Sequence, residues 1–300
     1  MSKIVILGAG ISGHTAAAHL RRKLGKEHEV LVVSPNRNYQ WVPSNIWVGI
    51  GKMKREDVIF PLEPLYKRKG IGYKQSKAIS FHPEGDASES KPYVLVEGVF
   101  GDNLGKQEKV TYDYLINATG PKLAFDMTEG LLPATNKVFS VCTYDHAEHA
   151  SEALHKLIDQ LKKSDKKIKI LIGTGHAKAT CQGAAFEYIL NVEKELQKFG
   201  IRDKAEITWI SNEYELGDFG MDGMLMEYNG FNMKSKDMVE MIFEDRGIKW
   251  ILGAGVNKIE DGVAHYENLD GEYKSEEFDF AMLIPAFSGH GFQAYDKEGQ

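Results

Sequence analysis

Two cysteines and one glycine turn are the residues in this sequence whose types and positions suggest redox chemistry. Cys142 and Cys181 are the only cysteines among 300 residues. Two cysteines are too few for a disulfide framework and fit a reducing compartment or a redox role. Cys181 falls near the start of a predicted helix, where the helix dipole stabilises a thiolate and makes the sulfur more reactive. A cysteine that only fills space in a core is the alternative for each of them.

The glycine turn is Gly8-x-Gly10-x-x-Gly13, which follows a short apolar run and precedes a segment rich in Ala and Leu. In a strand-turn-helix setting the first glycine permits the tight turn and the second lets the backbone approach a diphosphate. The third lets helix and strand pack closely. The diphosphate would lie at the helix N-terminus, whose free N–H groups favour negative charge. The pattern predicts a dinucleotide site, with a ligand-free glycine turn as the alternative.

A second glycine turn, Gly173-Thr174-Gly175, lacks part of this pattern. Lys178 stands where the third glycine would be, and the next predicted strand closes on Ser211 and Asn212 rather than on an acidic residue. The acidic residue normally holds the ribose, and the glycine normally permits close helix packing. We therefore predict that the second half of the chain keeps the dinucleotide-binding fold but has lost nicotinamide binding.

Each glycine turn lies between a predicted strand and a predicted helix, so the chain contains the beginnings of two βαβ units. The fold class predicted is α/β, with two Rossmann-like dinucleotide-binding domains and an inserted antiparallel β-meander. The predicted domains are an FAD-binding domain at 1–122, with a strand returning at about 279–300, and a second, NAD-binding-like domain at 123–278. Predicted strands lie at Lys3–Leu7, Glu29–Ser34, Tyr73–Phe81, Tyr93–Phe100, Lys109–Tyr112, Tyr114–Thr119, Lys167–Ile172, Glu206–Ser211 and Asp279–Pro285. Predicted helices lie at His14–Leu24, at Asp145–Lys163 and, after the second glycine turn, at Gln182–Phe199.

Composition excludes several classes of protein. The hydrophobic fraction of 42% and charged fraction of 27% are typical of a globular chain. The formal charge of −6 gives no reason to expect nucleic-acid binding. No apolar run is long enough for a transmembrane helix, no Sec signal precedes the first strand, and no metal site is predicted. These features indicate a soluble or surface-bound α/β protein.

Four segments together resemble the sulfide:quinone oxidoreductases, a family of flavoproteins with two dinucleotide domains. They are NYQWVPSNIWVGIG at 38–51, Ala118–Leu123 (ATGPKL), Ser140–Thr143 followed by His146, and Cys181–Glu187 (CQGAAFE). The resemblance extends over most of the chain and implies that FAD, rather than NAD, binds at the first glycine turn. The cofactor contacts predicted on this basis are Gly8, Gly10, Ile11, Ser12, Gly13, Ser34, Pro35, Asn36, Pro43, Ser44, Ala78, Thr119 and Gly120.

The resemblance also implies a reaction and its residues. Sulfide would be oxidised to sulfur or polysulfide through Cys181, which matches one half of the family's sulfur bridge, and the electrons would pass to a quinone. Cys142 matches an accessory cysteine, and His146 a histidine near it that could accept a proton. Glu187 matches a carboxylate near flavin and quinone, and its apolar neighbours on the helix suggest that it is buried. A peripheral membrane location and homo-oligomers are further expectations taken from the family.

The sequence departs from the family at two points. The second bridge cysteine, a second FAD motif and membrane-dipping helices are not found before Gln300, which suggests a truncated chain, and Glu215 replaces a family histidine. Two alternatives therefore stay open. One is a type II NADH:quinone oxidoreductase, against which Lys178 argues, and the other is a non-catalytic flavin-binding fragment.

Overall fold

The computed structural model describes residues 1–135 and 137–300. Its helices are α1 (Ile11–Leu24), α2 (Asn45–Gly49), α3 (Arg55–Val58), α4 (Leu62–Lys69), α5 (Tyr144–Leu161), α6 (Gln182–Lys198) and α7 (Ser235–Asp245). Strands in the first half are β1 (Lys3–Leu7), β2 (Glu29–Ser34), β3 (Asn38–Gln40), β4 (Ile59–Pro61), β5 (Gly72–His82), β6 (Tyr93–Gly98), β7 (Gln107–Thr111), β8 (Tyr114–Asn117), β9 (Lys122–Ala124) and β10 (Val138–Phe139). Those that follow are β11 (Ile168–Thr174), β12 (Ala205–Ile210), β13 (Leu225–Tyr228), β14 (Phe231–Lys234), β15 (Ile248–Ile251), β16 (Gly255–Glu260), β17 (Val263–Glu267), β18 (Tyr273–Glu277), β19 (Phe280–Ile284), β20 (Ala286–Ser288) and β21 (Gln293–Ala294).

The chain divides into two compact units, of which the first contains residues 1–41, 59–122 and 289–300. Its sheet has the order β7-β6-β5-β2-β1-β8, with β1 parallel to both β2 and β8. Alternate residues of β1 enter two different core clusters, Ile4 and Ile6 in one and Val5 and Leu7 in the other. A strand buried on both faces explains the continuous apolar run in the sequence.

The antiparallel meander predicted for the first unit is present. β5 begins parallel to β2, then continues past it and pairs antiparallel with β6, which pairs antiparallel with β7. The register shifts between Ala78 and Ser80, and such an irregularity lets one long strand serve both arrangements.

The second unit contains residues 42–58 and 123–288. Its five-stranded sheet has the order β10-β19-β11-β12-β15, and neighbouring strands in it pair in parallel. Helix α5 begins as the sequence predicts: the Thr143 hydroxyl accepts a hydrogen bond from the backbone N–H of His146 at 3.2 Å. None of the helices in the described part of the chain combines the length and apolar character needed to span a bilayer.

One sequence expectation about this unit is wrong. The strand predicted at 279–285 does not return to the first domain; β19 lies between β10 and β11 in the second sheet, and only residues 289–300 belong to the first unit. An apolar strand fits the centre of either parallel sheet, so its own residues do not choose between them. The helix predicted over Gln182–Phe199 is confirmed as α6, Gln182–Lys198. The antiparallel sheet β16-β17-β18 and the hairpin β13-β14 have no counterpart among the predicted strands.

Candidate functional site

The first glycine turn has the geometry of a diphosphate cradle. Gly8 has φ +96°, and a Cβ there would lie 2.2 Å from the carbonyl oxygen of Ala118. A Cβ on Gly13 would lie 2.1 Å from the carbonyl oxygen of Gly8. A Cβ on Gly10 would meet no atom of the described residues within 4 Å. Gly8 and Gly13 are therefore required by packing, whereas the space above Gly10 is open to a ligand at the N-terminus of α1.

The ends of three neighbouring strands meet at this turn. β1 ends in the turn, β2 ends at Ser34, and β8 is followed by Thr119 and Gly120. Ser34 is buried, and its hydroxyl accepts a hydrogen bond from the N–H of Asn36 at 3.3 Å. The hydroxyl and N–H of Thr119 both donate to Asn117 Oδ1. In parallel sheets a ligand binds outside the carboxyl ends of the strands at the point where strand order reverses, which here is β1.

The remaining predicted cofactor contacts divide between the units. Ile11 and Ser12 are exposed in the first turn of α1, and the carbonyl of Pro35 accepts a hydrogen bond from Gln75 Nε2. Ala78 is buried in the core of the first unit. Pro43 and Ser44 form a 3-10 turn, Val42–Ser44, within the second unit.

The second glycine turn is filled by the protein itself. A Cβ on Gly173 would lie 1.7 Å from the carbonyl oxygen of Ile210. A Cβ on Gly175 would lie 2.7 Å from Leu131 Cδ2 and 3.1 Å from Leu283 Cβ. The position that corresponds to the open Gly10 is thus covered by two leucine side chains. The residues from Gly175 to Cys181 form a loop, so the helix N-terminus lies away from the glycines.

Cys181 occupies the N-cap of α6. It is exposed and adopts the left-handed conformation, with φ 76° and ψ 38°. Residues other than glycine seldom adopt this backbone conformation, because their Cβ atom approaches the following carbonyl oxygen. The structure thus places one thiol at the start of a helix, as the sequence predicts, and presents it to solvent.

Cys142 has a different environment. Cys142 is half-buried, and burial raises the pKa of its thiol to about 11. A hydrogen bond with Ser140 offsets part of the rise in pKa, and the negative charge of Cys181 adds to it. At neutral pH Cys142 stays protonated.

His146 lies in the first turn of α5 and packs edge-on against Phe125, with ring centroids 5.4 Å apart. Burial lowers its pKa, an effect that Asp145 opposes and His149 reinforces. Its Nδ1 is buried and has no hydrogen-bond partner among the described residues. Within the described part of the chain no hydrogen bond joins His146 to Cys142. A neutral imidazole of this kind can accept a proton.

Glu187 is not buried, contrary to the sequence expectation. It is exposed on α6, while the adjacent Tyr188 is fully buried. The apolar neighbours that suggested burial form the opposite face of the helix, so the error lies in extending that face by one residue.

Sequence reasoning missed the contacts that hold segment 42–58 in the second unit. Tyr188 donates its hydroxyl hydrogen to the carbonyl of Gly49 at 3.1 Å. A Cβ on Gly49 would lie 2.8 Å from Val141 Cγ1 and 2.9 Å from Tyr188 Cε2. The segment is thereby packed against the residue that precedes Cys142 and against helix α6. The glycine inside the 38–51 motif is the sequence signal for this close approach.

An ion pair supports the same segment. Lys52 Nζ lies 3.0 Å from Glu195 Oε1, and Glu195 is only 2% exposed. Burial raises the pKa of Glu195, but hydrogen bonds and charges from Lys52 and Lys198 outweigh burial and leave the pKa below its usual value. Glu195 is therefore ionised at neutral pH and ties the segment to α6.

A buried carboxylate near the end of β12 is likewise engaged in hydrogen bonds within the protein. Glu213 accepts hydrogen bonds from the Ser211 hydroxyl at 2.8 Å and from the N–H of Phe219 at 2.6 Å. Burial raises the pKa of Glu213, and these hydrogen bonds offset part of the rise. The carboxylate holds its own loop, so it is not free to bind a ribose.

Comparison with known proteins shows where similar chains occur. Residues 2–185 match the family model for pyridine nucleotide-disulphide oxidoreductase. The sulfide-quinone reductase of Aquifex aeolicus (strain VF5) is 32% identical over 286 residues, which cover 95% of this chain and 59% of that protein. The mitochondrial sulfide:quinone oxidoreductase of Dictyostelium discoideum is 26% identical over 295 residues, covering 97% of this chain and 57% of that protein.

A solved structure agrees with these sequences. The X-ray structure of the sulfide:quinone oxidoreductase from Aquifex aeolicus superposes with a TM-score of 0.79 at 30% identity, covering 97% of this chain and 60% of that one. The chain spans about three fifths of the length of the curated relatives it matches. These findings confirm the resemblance drawn from the motifs, the fold with two dinucleotide-binding domains, and FAD as the cofactor. The chain belongs to the pyridine nucleotide-disulphide oxidoreductase family.

Proposed function

We propose that this chain takes part in the oxidation of sulfide to sulfur or polysulfide, with Cys181 as the reacting sulfur and a quinone as the electron acceptor. Two relatives that align with almost the whole chain carry sulfide and quinone in their names. The geometry of the second unit supports the same function independently of those names.

The observation that carries the proposal is the altered second glycine turn. Leu131 fills the position that a dinucleotide backbone would approach, and the helix that would face a diphosphate begins instead at Cys181. A nicotinamide dinucleotide would need that space and that helix N-terminus. The half that would otherwise bind a nicotinamide therefore presents a thiol.

Cys181 supplies the sulfur chemistry. Its sulfur lies at the N-terminus of α6, where the helix dipole favours a negative charge. In exchange with sulfur species, a sulfur anion attacks a sulfur atom bonded to the Cys181 sulfur, a new sulfur–sulfur bond forms, and the Cys181 sulfur leaves as a thiolate. FAD, when bound, supplies a two-electron acceptor that can be reoxidised by a quinone.

Three further residues have supporting roles in this proposal. Cys142 remains a protonated thiol because of its burial, so it acts after Cys181 rather than as the first nucleophile. His146 is neutral and has a free buried Nδ1, which suits it to hold a proton released from sulfide. Glu187 is exposed, and exchange of protons with solvent near the quinone is the role we propose for it. We also propose peripheral association with a membrane, which is where a quinone is found.

An absorption titration of the FAD-loaded chain tests this function. Sulfide should bleach the flavin band and added quinone should restore it, whereas NADH should leave the band unchanged. Cys181→Ser should bind FAD but lose the response to sulfide. Cys142→Ser is the matched control for removal of a thiol and should keep part of the response, because its sulfur is not the first nucleophile.

The alternatives predict different spectra. Bleaching by NADH, together with no effect of Cys181→Ser, would identify a type II NADH:quinone oxidoreductase instead. A folded chain that binds no FAD and stays colourless would indicate a fragment without catalytic function. Either result would remove the proposed role of Cys181.

A further inference from the structure

The loop from Gly175 to Cys181 is held by one side chain from the next strand end. Asn212 Nδ2 donates hydrogen bonds to the carbonyl oxygens of Ala177 at 2.8 Å and Ala179 at 3.0 Å. Its Oδ1 accepts one from Gln182 Nε2 at 3.1 Å. Its backbone N–H donates to Thr174 Oγ1 at 3.0 Å. A single residue thus joins the end of β11, the middle of the loop and the first residue of α6.

The hydrogen bonds of Asn212 reach residues on both sides of Cys181. Ala179 and Gln182, which flank the cysteine closely, are 2% and 4% exposed. Cys181 itself is exposed and holds the left-handed conformation. Such a conformation in a residue other than glycine is costly and persists only where the surroundings enforce it. Asn212 shares in fixing this segment: Ala179 also pairs antiparallel with Ala286, and Gln182 Nε2 also donates to the carbonyl oxygen of Ala179 at 3.5 Å.

The position of Asn212 gives it this function. It follows β12 at the strand end where a dinucleotide-binding fold would carry the residue that holds a ribose. Its amide is instead fully engaged with its own chain. We propose that Asn212 is a positioning residue, which holds the 175–181 loop so that the Cys181 thiol stands exposed at the N-terminus of α6. This inference rests on the proposed function, in which Cys181 is the reacting sulfur.

The test measures the reactivity of Cys181 directly, in the FAD-loaded chain of 300 residues. Iodoacetamide modification of Cys181 is followed by peptide mass spectrometry across a range of pH. Asn212→Ser removes both donors without adding charge. It should slow modification at neutral pH by about tenfold and move the pH profile upward, because the freed loop relaxes from the enforced conformation.

The matched control is Asn191→Ser. Asn191 lies on helix α6 and donates one hydrogen bond to the carbonyl of Glu187 at 2.8 Å. Its replacement should leave both the rate and the pH profile of Cys181 within about twofold of the parent, since it does not touch the loop. Equal rates for Asn212→Ser and Asn191→Ser, or faster modification of Asn212→Ser, would overturn the proposal.

A second variant keeps the test decisive if Asn212→Ser does not fold. Gln182→Met preserves length but removes the donor to Asn212 Oδ1, and it should slow modification by about threefold. An unchanged rate in Gln182→Met would overturn the proposal in that case. Alkylation does not depend on sulfide turnover. If the alkylation rates do not change, the proposed function therefore still stands. If sulfide does not bleach the flavin, the alkylation experiment can still test the positioning role of Asn212.

Discussion

Replacing Gly10 by alanine separates the role of the first glycine turn in folding from its role in binding. Gly10 has φ −72° and ψ −167°, which an alanine adopts without strain. Its added Cβ would meet no described atom within 4 Å. Gly10→Ala should therefore leave the free energy of unfolding of the apoprotein unchanged or raise it by about 0.4–1 kcal/mol, because alanine restricts the unfolded chain.

Binding of FAD should respond in the opposite direction. The open space above Gly10 is where the diphosphate backbone would approach, so the new methyl group would displace it. Overpacking of this kind costs about 1–3 kcal/mol. Since about 1.4 kcal/mol corresponds to tenfold in affinity, the Kd for FAD should rise by roughly fivefold to hundredfold.

The assay combines urea unfolding of the apoprotein with a titration of FAD fluorescence. Gly13→Ala is the matched control, because its Cβ would lie 2.1 Å from the carbonyl oxygen of Gly8. It should lower the free energy of unfolding by about 1–3 kcal/mol before any ligand is added. The reasoning is refuted if Gly10→Ala loses as much stability as Gly13→Ala, or if it binds FAD as tightly as the parent chain.

Two further predictions concern the second unit. Tyr188→Phe removes the hydrogen bond to the carbonyl of Gly49 and should lower the free energy of unfolding by about 1 kcal/mol in urea. Tyr114→Phe, whose ring is 64% exposed, should change it little, and equal losses would contradict the role of Tyr188. Burial lowers the pKa of His146, so its stabilising contribution is complete above the unfolded value of 6.5 and is lost as pH falls through the folded pKa. His146→Gln should therefore show a smaller drop in Tm than the parent chain between about pH 7.5 and 5.5, and parallel Tm curves would exclude this role.

Local features of the sequence determine much of the first unit and the start of helix α5 in the second. The glycine spacing after an apolar run predicts the β1-turn-α1 arrangement, and the structure confirms it with packing that only glycine permits at Gly8 and Gly13. The start of α5 follows from Thr143, because a hydroxyl that caps a helix acts on a backbone N–H a few residues away. The antiparallel meander follows from short runs with turns between them. Each of these signals acts over a short stretch of chain.

Tertiary structure decides what distant residues contribute. β19 could enter either parallel sheet on its own residues, and it pairs in the second because β10 and β11 leave a place between them. Leu131 covers Gly175, and Asn212 fixes the loop before Cys181, yet neither residue lies near those positions in the sequence. Identical side chains at Cys142 and Cys181 differ in burial for the same reason. The burial and the partners of a side chain depend on contacts between remote segments, which spacing along the chain does not encode.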